Sequence, residues 1–350
     1  MFPDEVHRVA IDGVVNSVDY WTGEWDSTLT DTDKVLQGFF RECAAAGDAC
    51  ALTHGLLNKK KSEKQIEKAI GKKFSKVFDR LAIMPMIAAN ATHPGLLTWS
   101  EVKGAVFQAL YSPTTWNALA KGLQAAYEGD PLPLFEKNGL HPCDLTPEPS
   151  AAPRSEEANT AIACGDVNKR FKHLPTPEDY KRFAEKQESR SAYFGGVFHQ
   201  GLQCKGDWPQ SLLASETWRG NFTSHTKNPL LILSVEYDPV TPHSNGISMH
   251  KRFPNSSSAL RRGYGHCTIA QKSKCMDKVV REYFIDGKTP KKDTVCDWDK
   301  KIQPIFYGDG EAPPALAATR VQAETEEEDD LDLSFMAEDI ATFARGRRLL

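Results

Sequence analysis

Two residues of this 350-residue chain have the types and the spacing for proton-transfer chemistry. Asp238 closes the apolar stretch LLILSVEYD, and His266 follows 28 positions later inside GYGHC. A carboxylate can fix a histidine's tautomer and stabilise its imidazolium while the ring takes a proton from a serine. Singly, Asp238 reads as a helix cap or turn residue and His266 as an ordinary loop histidine. In this order, on successive strands, they read together as a catalytic acid and base.

The flanking residues supply the frame. Residues 229–237 form a continuous apolar run, as in a strand covered on both faces of a parallel sheet. On such a sheet the strand C-termini carry the functional residues. After Asp238 the sequence PVTP turns the chain sharply into a helix beginning near His243 or Ser244. Residues 257–264 read as the next strand, and Gly263 and Gly265 let the backbone bend tightly around His266. CMDKVVREYFIDG is a closing helix, and HRVAIDGVV at 7–15 is predicted to be a short buried strand ending at Asp12-Gly13.

From about 30 to 215 the apolar period becomes helical. DTDKVLQGFFRECAAAG has Asp31 as cap, Val35, Leu36, Phe39 and Phe40 as its apolar face, and Gly47 as its stop. Ile66, Ile70, Phe74, Phe78 and Leu81 make one stripe on a basic helix, whose lysines read as a solvated face. Two helices broken at Ser112-Pro113 and stopped at Gly129 follow, then a proline-rich stretch at 130–158 that reads as a loop. A further helix is capped by Thr176, with Pro177 at its first position. The result is an α/β sheet interrupted by a large helical insertion, with no internal repeat. The predicted organisation is a core segment at 1–27, a helical cap at 28–215, the rest of the core at 216–308 and a tail at 309–350. In the tail, ETEEEDDLD repels itself and is expected to stay unfolded, and FMAEDIATFARGRRLL forms at most a weak amphipathic helix.

The net charge of −4 argues against nucleic acid or an anionic membrane as an obligatory partner. No apolar run approaches the length of a transmembrane helix, and MFPDEVHRVAIDGVV has no signal-peptide pattern. The eight cysteines include no CxxC, and apart from the adjacent His266–Cys267 the histidines do not join them at zinc spacing, so neither a structural metal nor a cofactor is expected. Cys43–Cys50 and Cys275–Cys296 suit disulfides closing short loops, with buried free thiols as the alternative. Sequons at Asn90, Asn221 and Asn255 tilt the balance towards secretion.

ILSVEYDPVTPHSNG, RRGYGHC and REYFIDGKTPKKDTVC closely resemble the C-terminal part of α/β-hydrolases related to tripeptidyl aminopeptidase, the secreted, proline-aminopeptidase-like serine peptidases. MFPDEVHRVAIDGVVNSVDYW resembles the family's segment that leaves the helix after the nucleophile elbow and enters the next strand. The likeness covers about 1–27 and 205–300; in the insertion it is confined to local features such as FFRECAAAGDACAL and AIACGD. It implies Asp238 as triad acid, His266 as triad base, and disulfides Cys43–Cys50, Cys164–Cys204 and Cys275–Cys296, leaving Cys143 and Cys267 over.

In that family the serine lies in G-x-S-x-G on a strand-to-helix turn. None occurs here; the nearest match, Gly246 to His250 around Ser248, lacks the last glycine and follows the acid inside a helix. The resemblance therefore implies the last strands of an α/β-hydrolase sheet with a helical cap, beginning downstream of the elbow. Losing the serine alone can cost about 10⁴ to 10⁶ in turnover. The expectation is a secreted serine exopeptidase acting on peptide N-termini through an acyl-enzyme, with this stretch inactive alone. A pseudo-enzyme binding through its cap and an esterase-type hydrolase are the rivals.

Overall fold

In the computed structural model, residues 2–57, 61–138, 155–167, 175–198, 204 and 220–308 are described. In chain order, strand β1 (Ala10–Asp12) leads through α1 (Ser17–Thr22) into a helical layer of α2 (Thr32–Ala46) and α3 (Glu63–Ile83). A small antiparallel hairpin, β2 (Met86–Ala88) and β3 (Gly95–Leu97), precedes α4 (Trp99–Leu110), α5 (Trp116–Glu128), α6 (Leu132–Asn138), α7 (Ser155–Asp166) and α8 (Pro177–Glu188). The chain then returns to the main sheet with β4 (Leu231–Tyr237), α9 (His243–Arg252), β5 (Ser257–Tyr264), α10 (Lys274–Asp286) and β6 (Thr294–Cys296).

The main sheet runs β1-β4-β5-β6 with every neighbouring pair parallel. Leu231 pairs with Ala10 on one side and Ser257 on the other, which places β4 at the sheet's centre. Its side chains alternate faces, as a strand's must. Leu231 and Leu233 pack with Met276 and Tyr283 of α10, whereas Ile232 packs with Val14 and Met249 of α9. Helices on both faces explain why residues 229–237 read as an unbroken apolar run.

The helical layer is organised by the stripe on α3. Ser62 caps this helix reciprocally with Gln65, and Ile66, Ile70, Phe74, Phe78 and Leu81 are all buried. Each such side chain contributes roughly 1.5–3 kcal/mol of hydrophobic stabilisation. The same cluster takes in Phe39, Val106, Leu110 and Trp116, and it extends to Val240 and Tyr264 beside the strand tips. The helical layer and the sheet's C-terminal edge thus share one core. α4, α5 and α8 begin and end close to the residues expected, with Thr176 and Asp179 forming a capping box.

Four local features differ from the sequence reading. β1 is three residues long and half-buried, with Val9 and Val15 exposed beyond it, because the parallel ladder to β4 extends only over Ala10–Asp12. Asp31 makes no side-chain cap on α2; its carboxylate pairs with Lys34 Nζ at 2.6 Å. The stretch 130–158 holds α6 and the start of α7: Asp130 accepts the amide of Leu132, and Leu134 and Phe135 are buried. Prolines at 131 and 133 stand where a first turn tolerates them. The hairpin β2–β3 and the short β6 had no counterpart in the reading. The expected acidic tail and Cys143 lie outside the described residues.

Candidate active site

Asp238 follows the last residue of β4 and is buried. Its Oδ1 accepts the amides of Val240 and Thr241 at 2.9 and 2.8 Å, so the sharp PVTP turn is folded around the carboxylate itself. Its Oδ2 accepts the amide of Cys267 at 3.0 Å. His266 Nδ1 lies 3.2 and 3.1 Å from the two carboxylate oxygens and 3.1 Å from Thr241 Oγ1. Asp238 therefore holds the imidazole edge, the loop that carries it and the turn at 239–241.

His266 sits on a loop that its flanking residues shape. Gly265 has φ +102°, and a Cβ there would lie 2.8 Å from Pro113 and 2.9 Å from the Tyr111 carbonyl. That close approach brings the helical layer to the histidine: the His266 amide donates to the Tyr111 carbonyl at 2.7 Å, and the Tyr111 ring meets the imidazole edge-on at 5.2 Å. Cys267 adopts φ +67°, a region that non-glycine residues seldom enter, directly beside His266.

Two further groups close the site from behind. Asp12, at the tip of β1, accepts the Thr268 amide at 2.8 Å and its hydroxyl at 2.7 Å. Arg261, wholly buried on β5, donates to the carbonyls of Tyr264 and Cys267. In the sequence Asp12, Thr241 and Arg261 stand out only as a turn, a PVTP residue and part of RRGYGHC. Tyr111 had no signal at all, because its role comes from the helical layer folding back onto the strand tips.

The electrostatics separate these groups. Burial pushes the Asp238 carboxyl up, but the charge and hydrogen bond of His266 and the Val240 and Cys267 amides outweigh it and hold the group below the ordinary carboxylate value. Asp12 is raised, by burial first, against the hydrogen bonds from Thr268. Burial, with Asp12 and Asp238 nearby, drives the Cys267 thiol well up. A thiol so held is a poor nucleophile despite its place next to His266.

The structure thus brings Asp238 and His266 together and leaves Ser248 in the middle of α9. It joins Cys43 to Cys50, Cys164 to Cys204 and Cys275 to Cys296, and Cys267 is a buried free thiol. Among the described residues no helix is long and apolar enough to cross a membrane.

A family profile described as TAP-like protein matches residues 191–296, the stretch that carries both members of the pair. Tripeptidyl aminopeptidase of Streptomyces lividans is 23% identical over 304 residues, covering 85% of this chain and 51% of the relative. The matched stretch carries the TAP-like α/β-hydrolase pattern. Carboxylesterase B and serine protease Hip1 of Mycobacterium tuberculosis are each 25% identical to this chain, over 217 and 219 residues. Each of these matches covers 59% of this chain and 39% of the relative. The chain therefore spans about half, or less, of the length of the curated relatives it matches. The parallel sheet with helices on both faces, and a helical layer at its strand tips, is the α/β-hydrolase architecture.

Proposed function

We propose that this chain carries the acid and base of a serine hydrolase site, with His266 as general base and then general acid and Asp238 as its orienter. The observation that carries the reading is the placement of the imidazole. Nδ1 is engaged by Asp238, while a Cβ on Gly13, at the tip of the sheet's edge strand, would lie 3.4 Å from Nε2. A serine presented there would lose its proton to Nε2 and attack an acyl carbon, and the imidazolium would return the proton to the leaving group. No G-x-S-x-G occurs in the 350 residues, so this reading takes its nucleophile from polypeptide outside them and expects no turnover by the 350 residues alone.

The substrate we favour is the N-terminal end of a peptide, cleaved through an acyl-enzyme. The likeness to an enzyme named tripeptidyl aminopeptidase supports it. So does the helical layer, taken as a cap over 28–215, standing over the core at 1–27 and 216–308, where it would restrict access to chain ends. An ester-cleaving variant has its own support in the relative named carboxylesterase B. Three disulfides favour an oxidising, extracellular compartment.

The test is the transcript 5′ of the Met1 codon. A continuous frame encoding G-x-S-x-G supports the reading, provided the extended protein hydrolyses tripeptidyl anilides in a His266-dependent way; preference for p-nitrophenyl esters would move it to the esterase class. An in-frame stop would overturn it in favour of a binding protein without catalysis. So would His266-dependent turnover by the 350-residue chain itself, which would require a nucleophile within it.

A further inference from the structure

We propose that Arg261 is a positioning residue for His266: its buried guanidinium ties the loop carbonyls that bracket the histidine and, opposed by Asp12, sets the charge the imidazole meets. The geometry begins with a cation on a central strand with no exposed surface. Nη2 donates to the Tyr264 carbonyl at 2.9 Å and the Cys267 carbonyl at 3.4 Å. Nη1 donates to Gln271 Oε1 at 2.7 Å, and the same oxygen accepts the Tyr264 amide at 2.9 Å. Every one of these acceptors is neutral. A buried charge without a directly bonded counter-ion costs several kcal/mol, and an apolar side chain of the same length would fill the space more cheaply.

What the charge faces explains its presence. Among the described residues, the ionisable groups around His266 include Asp238 from β4, Asp12 from β1, Arg261 from β5 and Cys267 on the loop itself, with the Tyr111 ring from the helical layer. The thiol stays neutral. All of Asp12's contacts, from the amides of Gly13 and Thr268 and the Thr268 hydroxyl, donate to it, as an ionised carboxylate requires. Without Arg261 the two carboxylates would favour the imidazolium, a form that cannot accept a proton. Arg261 offsets one of them. Burial lowers its own pKa to about 10, so it stays a cation at neutral pH.

The two groups act with opposite sign, and that separates this proposal from simple packing. Removing the cation favours the imidazolium, and removing Asp12 disfavours it. A loop that had merely loosened would send His266 towards its solvent value in both variants. Catalytic consequence rests on the reading of His266 as base, but the titration does not, so either can fail while the other stands.

The experiment follows the His266 ring resonances by NMR between pH 5 and 9 in the 350-residue chain, assigned with His266→Gln. Arg261→Met should raise the midpoint by about half a unit or more, Asp12→Asn should lower it by a similar amount, and Arg261→Lys should leave it near the wild-type value. Movement of Arg261→Met and Asp12→Asn in the same direction, or of neither, would overturn the proposal. If Arg261→Met does not fold, Asp12→Asn and Arg261→Lys decide: a fall in the first with no rise in the second supports it, and any other result overturns it.

Discussion

The backbone amide of Cys267 donates to Asp238 Oδ2 at 3.0 Å, so one buried carboxylate both orients His266 and anchors the residue after it. With the Val240 and Thr241 amides on Oδ1, three backbone donors converge on this charge. Asp238→Asn turns an amide NH₂ towards at least one of them and is expected to cost about 3–5 kcal/mol at neutral pH. The sign in acid follows from the depressed pKa in the folded state. Asp238 contributes fully above the unfolded value near 3.9 and loses its contribution as pH falls through the lower folded value. Urea unfolding of both proteins from pH 7 downwards should show the gap closing in acid; a gap that is constant with pH would contradict the assignment.

Gly13 is where β1 meets the histidine loop. It has φ +65°, and a Cβ there would run into Cys267 Sγ and lie 2.9 Å from His266 Cε1. Gly13→Ala should therefore cost about 1–3 kcal/mol from overpacking, with backbone strain in addition. Adding Cys267→Ala removes the sulfur but neither the imidazole contact nor the strain. The double variant should recover part of the loss, read as a non-additive cycle in denaturant midpoints. Full additivity would mean that the two residues do not meet.

Asp238 and His266 were legible because each sits at a strand C-terminus with local signals: the run at 229–237, the PVTP turn and the flanking glycines. Their supports were not. Asp12 and Thr268 are separated by 256 positions, and Tyr111 reaches His266 from a helical segment whose pattern reports only its own amphipathicity. The three-residue strands β2, β3 and β6 are shorter than any window in which a period of two can be counted. In α6 the prolines spoke for a loop, and the burial of Leu134 and Phe135 outweighed them. Helices with long stripes, α3 above all, were read correctly because burial of that stripe decides their position.

The Cys275–Cys296 bond ties α10 to the edge strand β6. By the chain-entropy estimate, a loop of this length stabilises the fold by about 3 kcal/mol. Cys275→Ala with Cys296→Ala should lower stability by roughly that amount in the absence of reductant. Added reductant opens all three disulfides, so parent and variant should then converge on one value, the bond that distinguished them being gone. A variant as stable as the oxidised parent would remove the disulfide from the account of the fold.

Tyr264 is the hinge between the helical layer and the histidine loop. Its ring stacks on Tyr237 at 5.7 Å, lies 5.4 Å from Trp116, and its hydroxyl accepts from Arg41 of α2. Gly38, one turn before Arg41 on the same helix, leaves room for that ring; a Cβ there would press on its edge, 2.6 Å from Cζ. Hemmed by two aromatic neighbours, the ring cannot yield, so Gly38→Ala should cost about 1–3 kcal/mol. Tyr264→Ala should cost about 3–5 kcal/mol by the cavity it leaves. The clash needs the ring, so the double variant should be less destabilised than the sum by about 1 kcal/mol or more, measured as urea midpoints at unchanged slope. Additive losses would mean that α2 does not dock on Tyr264, and the helical layer would then lack this contact with the strand that leads into His266.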